Sequence, residues 1–284
     1  MVRAEELTEH PGNRTRQSGA NGRLDTLGSD PTNAGSSLDD ISALLCSEDA
    51  HDVLMENADE LCIAIPELEA LRGFDHRSRY HCHDVFEHTA YVVERTRPEP
   101  LVRWAALLHD VGKPNMFAMD ERGKGHFKGH AWEGARMTRT IMGRLGADPM
   151  FSRQVELLVR HHDDHIVPIE HVVKRRLASM DYDPHLFEAL CDLKHADALA
   201  HAPGWQKPRA ELSFQLLDCL GKILREGQAY RVQDLAIKRD DVMDALAIEG
   251  VLADKIILQA LDAVIVGKIP NERRPLMEYL AQLA

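Results

Sequence analysis

The chain has 284 residues, 44% hydrophobic and 28% charged, which suits one large domain or two small ones and excludes a wholly disordered chain. Acidic side chains number 46 against 34 basic ones, a formal charge of −12 that argues against a surface built throughout to coat nucleic acid. There are 16 histidines, and 14 of them fall between His76 and His201, a density that raises metal binding first.

Residues 1–37 are rich in Gly, Asn, Ser, Thr, Asp and Arg, without apolar period, and read as a disordered or loosely attached tail. Met1-Val2-Arg3-Ala4-Glu5-Glu6 has no apolar signal core, and Val2 replaces the glycine that N-myristoylation needs. No run approaches the ~18 apolar residues of a membrane span. A cytoplasmic location and no membrane partner are expected. Cys46, Cys62, Cys82, Cys191 and Cys219 are odd in number and form no C-x-x-C pair, which fits reduced thiols. Cys82, between His81 and His83, is read as a small buried or half-buried side chain rather than a ligand.

Structure is expected from Ser37. Ser37-Leu38-Asp39-Asp40 has an N-cap and first-turn acids, and Ile41, Leu44 and Leu45 supply an apolar face. Helical patterns follow over Val85 to Thr96, Leu101 to Asp110, Ala131 to Leu145, Gln154 to His162, Lys174 to Met180, His185 to Leu199 and Leu212 to Arg225. Three more short helices are expected between Val232 and Ala284. No convincing series of alternating strands is present, so the fold class is all-α. The break at Ala202-Pro203-Gly204 divides an expected histidine-rich bundle, 38–202, from a C-terminal helical region, 203–284.

Five pieces put an imidazole or carboxylate on or at the end of an apolar helix: Val85 to Thr89, Leu107 to Pro114, Gly129 to Ala135, Val159 to Asp163 and Lys194 to Ala198. Neutral imidazole and carboxylate oxygen suit Fe, Mn, Co, Ni, Zn or Mg. The pair His109-Asp110 ends an apolar helix just before Gly112. Buried without a cation, an Asp among imidazoles would carry a large desolvation cost.

His88, His109-Asp110 and Asp197 resemble the H…HD…D signature of HD-domain metal-dependent phosphohydrolases. His130 and His162 match the two extra histidines of the subfamily that holds two metals. Ile65 to Glu69, Gly73-Phe74-Asp75, Tyr80 to Thr89, Gly125 to His130 and Gly267 to Arg273 are further similar to the HD region of bacterial CCA-adding tRNA nucleotidyltransferases. That likeness covers roughly 38–284. The nucleotidyl-transferring head of that family has a Gly-Ser phosphate loop and paired strand aspartates. The first 37 residues contain neither, so CCA addition is not expected of the chain.

The resemblance implies an HD helical bundle and two divalent ions of unspecified element. His88, His109, Asp110 and Asp197 are implied for the first, and Asp110, bridging, with His130 and His162 for the second. His161 competes with His162, and its place after Val-Arg-His favours His162. Asp110 and Lys113 are the candidate catalytic residues, with Lys113 a phosphate clamp or a solvated lysine. Lys113, His126 and His81 are candidate substrate contacts, and His83 a candidate pocket wall. Glu87 and Asp163 either hold ligand imidazoles or lie on helix surfaces. The remaining histidines, among them His76, His195 and His201, are read as surface or capping residues. The basic clusters Lys174-Arg175-Arg176 and Arg273-Arg274 are read as solvated faces, with tRNA the alternative partner.

The expected function is hydrolysis of a nucleotide, cyclic nucleotide or RNA-terminal phosphate. Two other readings stay open: a di-iron oxygenase with the same ligand array, and a tRNA- or partner-binding protein without catalysis.

Overall fold

A computed structural model describes residues 37–77, 82–121, 123–202, 204 and 206–282. All but one residue of the expected N-terminal tail lies outside this range. Thirteen α-helices are present among the described residues, joined by short 3-10 segments and one two-residue strand pair, so the architecture is all-α.

The first three helices are short: α1 (Leu38–Leu45), α2 (Ala50–Glu56) and α3 (Ala58–Ala64). Ser37 caps α1 in a capping box with Asp40, as the sequence indicates. Then come α4 (Val85–Arg95) and α5 (Pro100–Leu108). Asp84 caps α4 by accepting from the Glu87 amide. The indole of Trp104 on α5 is fully buried and donates to Ser42 Oγ at 2.8 Å, pinning α1 to α5. Beside it Arg103 is buried, with no carboxylate paired to it among the described residues. Its guanidinium donates to the carbonyls of Leu45, Glu94 and Arg97, satisfying the open ends of α1 and α4.

A hairpin of β1 (Ala118–Met119) and β2 (Gly125–His126) pairs antiparallel, with Ala118 opposite His126. It is too short to leave an alternating pattern in sequence. α6 (His130–Arg144) and α7 (Pro149–His161) then pack together as a pair. Asp148 caps α7, which therefore starts five residues earlier than the apolar period suggests. α8 (Glu170–Ser179), α9 (Pro184–Ala200) and α10 (Gln206–Arg225) follow. α9 lies against α4, α5, α7 and α10.

The core therefore runs past the break near Pro203. Leu216, Leu220 and Ile223 of α10 share the same buried cluster as Leu108, Leu158 and Phe187. A second cluster, from Leu235 to Leu280, is built by α11 (Arg239–Leu246), α12 (Val251–Ile265) and α13 (Arg273–Ala281). Apolar packing thus changes partners between Tyr230 and Leu235, not at 203, because α10 buries its apolar face on α9. α12 spans 15 residues, longer than the short helix expected. No helix among the described residues is long and apolar enough to cross a membrane.

The Lys174-Arg175-Arg176 cluster is only partly a solvated face, whereas Arg273 and Arg274 are exposed on the surface, as the sequence suggests. Lys174 is buried, Arg175 pairs with Asp262 at 2.7 Å, and Arg176 pairs with Asp164 at 2.7 Å. Arg273 pairs with Asp241 and Arg274 with Glu278.

Candidate metal centre

Five helices aim polar side chains at one point inside the main core. α4 contributes His88, the end of α5 His109 and Asp110, the start of α6 His130, the end of α7 His162, and the last turn of α9 Asp197. The chain turns tightly after α5, with the Lys113 amide donating to the Asp110 carbonyl at 2.9 Å. This reversal lets adjacent residues His109 and Asp110 face the same centre although neighbours on a continuous helix diverge by about 100°.

Asp110 stands in the middle, with a side chain 2% exposed. Its two oxygens face different histidines. Oδ2 lies 3.2 Å from His109 Nε2 and 3.8 Å from His88 Nε2. Oδ1 lies 3.5 Å from His130 Nε2 and 3.7 Å from His162 Nε2. Two groups that could hold a metal ion result: His88, His109 and Asp110, and Asp110, His130 and His162, with ligand atoms of each set within 4.8 Å of one another. Asp197 Oδ1 is 3.1 Å from His88 Nε2, adjoining the first group.

Three of the imidazoles are held by one device. His109, His130 and His162 each donate Nδ1–H to the carbonyl three residues back, Ala106 at 2.7 Å, Phe127 at 2.9 Å and Val159 at 2.7 Å. A carbonyl can only accept, so Nδ1 carries a proton and each ring turns its Nε2 inward, where the neutral form offers a lone pair. The Nε2 atoms of His130 and His162 approach to 3.1 Å. Two lone pairs that close repel unless a proton or cation lies between them. His109 Nε2 is buried and makes no hydrogen bond among the described residues. These features fit a divalent cation, which replaces the missing partners and offsets the cost of burying the carboxylate.

The electrostatics agree. Burial pushes the Asp110 carboxyl up, but His109, Lys113 and His162 outweigh it and hold the group well below the usual carboxylate range. Asp197 behaves likewise, held down chiefly by His88 and His201. Burial pushes the His88 imidazole down. His130 falls to about 4, through burial and then the neighbouring His162. Burial also opposes the charge on His109, but Asp110 overrides it and holds the ring above its ordinary value. The pocket draws positive charge to its carboxylates while keeping His130 neutral.

Lys113 is buried, not solvated. Its Nζ lies 2.5 Å from Asp110 Oδ2 and 3.4 Å from His76 Nδ1. The centre opens into a cavity of about 380 Å³ lined by Lys113, Lys124, His126, Lys128 and Arg209 besides the candidate ligands. His126 stands at its mouth, bonded to Asp120 at 3.0 Å. His81 lies outside the described residues. His83 instead meets Glu87 at 2.9 Å and the Tyr91 ring. Glu87 is thus engaged away from the imidazoles of the centre, while Asp163 is exposed at the cavity wall. His161 turns to Asp164 and Arg176, outside the centre. Cys82 is exposed, not half-buried.

Two histidines read as surface or capping residues are buried here. His76, 1% exposed, stacks edge-on to His88 at 5.4 Å, and His201, 6% exposed, does so at 5.6 Å. His201 donates Nδ1–H to the Asp197 carbonyl four residues back. That i, i+4 spacing was visible in sequence. His76 lies in a loop, where no period points inward. Lys194 has a role that the sequence does not indicate: its ammonium donates to the carbonyls of His162 at 2.6 Å and Asp164 at 2.9 Å, fixing the turn after α7.

Comparison with known proteins adds a family. Residues 79–202 match the family model of the HD domain. An A-adding tRNA nucleotidyltransferase of Deinococcus radiodurans is 37% identical over 132 residues, 44% of this chain and 30% of the relative. A CC-adding tRNA nucleotidyltransferase of Thermus thermophilus is 37% identical over 153 residues, 52% of this chain and 34% of the relative. A bifunctional uridylyltransferase/uridylyl-removing enzyme of Mycobacterium tuberculosis is 30% identical over 168 residues, 54% of this chain and 19% of the relative. The aligned segment spans about a third or less of the length of these relatives.

Proposed function

We propose, on the premise that residues 79–202 match the HD domain, that the chain is a metal-dependent phosphohydrolase acting on a nucleotide, cyclic nucleotide or RNA-terminal phosphate. The observation that carries this reading is Asp110, whose two oxygens face two separate pairs of histidines. His88, His109, Asp110 and Asp197 would hold one divalent ion, and Asp110, His130 and His162 a second. Such ions supply an acidified water and a polarised phosphoryl oxygen.

The chain's own residues do the rest. The carbonyl-bound Nδ1–H groups of His109, His130 and His162 keep the rings aimed with Nε2 inward. Lys113, paired with Asp110 at 2.5 Å, also lines the cavity, where a phosphate oxygen could share its ammonium. Lys124 and Lys128 at the mouth favour an anionic substrate. The uridylyl-removing activity named for one relative belongs to the same broad class of reaction. The tRNA named for two others is the alternative partner, for which the formal charge of −12 is unfavourable.

The test is a screen of purified chain loaded in turn with Mn²⁺, Fe²⁺, Co²⁺, Ni²⁺, Mg²⁺ and Zn²⁺. Substrates are phosphomonoesters, cyclic phosphodiesters and dinucleoside polyphosphates. Hydrolysis of at least one, lost in Asp110→Ala, supports the reading. Bound metal without turnover of any refutes it.

A further inference from the structure

The centre is not reached from one side only. A second cavity, about 260 Å³, is lined by Asp164, His165, Ile166, Lys194, Leu212 and Ser213. It shares His162, Asp163, Asp197 and Arg209 with the cavity that holds Lys113 and Lys128. The two spaces therefore meet at the open edge of the centre. Asp197 is that edge: its side chain is 25% exposed, against 2% for Asp110. A phosphorus atom brought to the candidate ligands has room for a substituent in either direction.

Arg209 stands at the junction. It comes from α10, beyond the segment that matches the HD domain. Its Nη1 lies 3.5 Å from His201 Nε2, and His201 is itself fixed by its bond to the Asp197 carbonyl. The guanidinium thus meets an imidazole nitrogen, whereas Arg175 is held by a carboxylate. A planar fork of donors at that place can grip two phosphate oxygens at once. The second cavity has the chemistry for a sugar or base. Ile166 and Leu212 give apolar wall, and Ser213, His165 and Asp163 give hydrogen-bonding groups. Lys194 shapes its floor by holding the 162–164 turn.

We propose that this site is built for a phosphate substituted on both sides, a phosphodiester of dinucleotide type, gripped by Arg209 where the two cavities meet. The inference rests on the phosphohydrolase reading for the chemistry, but not for the binding. One substituent lies towards Lys124 and Lys128, the other between α10 and the 162–166 turn.

The test is calorimetric binding to the Mn²⁺-loaded full chain of two slowly hydrolysed probes, a dinucleoside phosphorothioate and adenosine 5′-phosphorothioate. The dinucleoside is expected to bind at least about tenfold more tightly. Arg209→Gln should weaken it about tenfold, with part of the loss recovered in Arg209→Lys. Leu212→Trp, which fills the second cavity, should cut the preference for the dinucleoside about fivefold or more. If that variant does not fold, by circular dichroism, the exposed Arg209 variants carry the test. Equal affinity for the two probes, or unchanged dinucleoside binding in Arg209→Gln, overturns the proposal. Turnover of bis(p-nitrophenyl) phosphate and p-nitrophenyl phosphate separates the two readings. Dinucleoside preference without turnover keeps the subsites and removes the hydrolase. Turnover without that preference does the reverse.

Discussion

Gly112 packs directly against the carbonyl oxygen of His130. A β carbon on Gly112 would collide with that oxygen and stand 2.6 Å from the amide nitrogen of Gly134. The turn after α5, which carries His109 and Asp110, is thereby pressed onto the first turn of α6, which carries His130. This backbone contact sets the distance between the two candidate ligand groups.

Gly112→Ala is expected to push α6 away from that turn. Overpacking of this kind costs about 1–3 kcal/mol, and the His130 group should lose its ion first. Gly134→Ala should be milder, because its nearest neighbour is a movable side-chain methyl of Val159 at 3.2 Å. Thermal melts and metal analysis check both. A melt and metal content unchanged in Gly112→Ala would show that the contact is not critical.

Metal stoichiometry tests the two-group reading. The wild-type chain is expected to hold about two ions, and His130→Ala and His162→Ala about one. His161→Ala should keep two, because His161 faces Asp164 and Arg176. Elemental analysis after dialysis decides it. A count of one in all four proteins would leave a single-ion site, and a count of two in all four would remove His130 and His162 as ligands.

The buried pair Lys113–Asp110 should behave differently with and without metal. In the metal-free chain Lys113→Met takes one cationic partner from a carboxylate that is 2% exposed and leaves it to His109, at a cost of up to about 3 kcal/mol. Excess Mn²⁺ supplies the lost charge, so the penalty measured by urea unfolding should shrink. An equal penalty in both states would mean that Lys113 stabilises through packing alone.

The thiols give a pH test away from the site. Burial pushes Cys191 up to about 12, and burial with Glu69 pushes Cys62 up to about 11. A raised value means less thiolate at any given pH, so exposed Cys82 should react first with iodoacetamide at pH 8. The Cys62 rate should climb about tenfold per pH unit towards 11. Cys191 should stay unlabelled until unfolding. The folded chain keeps a proton that the unfolded chain releases near pH ~8.5, so Cys191 withdraws stability as pH rises from there towards 12. Peptide mass spectrometry reads the order of labelling. Early labelling of Cys191 would contradict its burial.

Much of this is legible in the sequence. Ser37 and Asp40 announced α1, and the apolar faces of α4, α5, α6, α7 and α9 were periodic enough to place within a few residues. His88, His109, Asp110, His130, His162 and Asp197 were singled out, and they do meet in space. His76, His201 and Arg209 were not. His76 sits in a loop, and Arg209 lies beyond a Pro-Gly break that reads as a boundary but is bridged by the packing of α10 on α9.

The sequence by itself determined the helices, their buried faces and the residue types that a cation needs, because those depend on neighbours a few positions apart. Only the tertiary structure decided which oxygen of Asp110 faces which histidine. It alone brought Gly112 against His130 and Arg209 beside His201. Those relations join residues far apart in the chain through packed backbones, and no local period encodes such a distance.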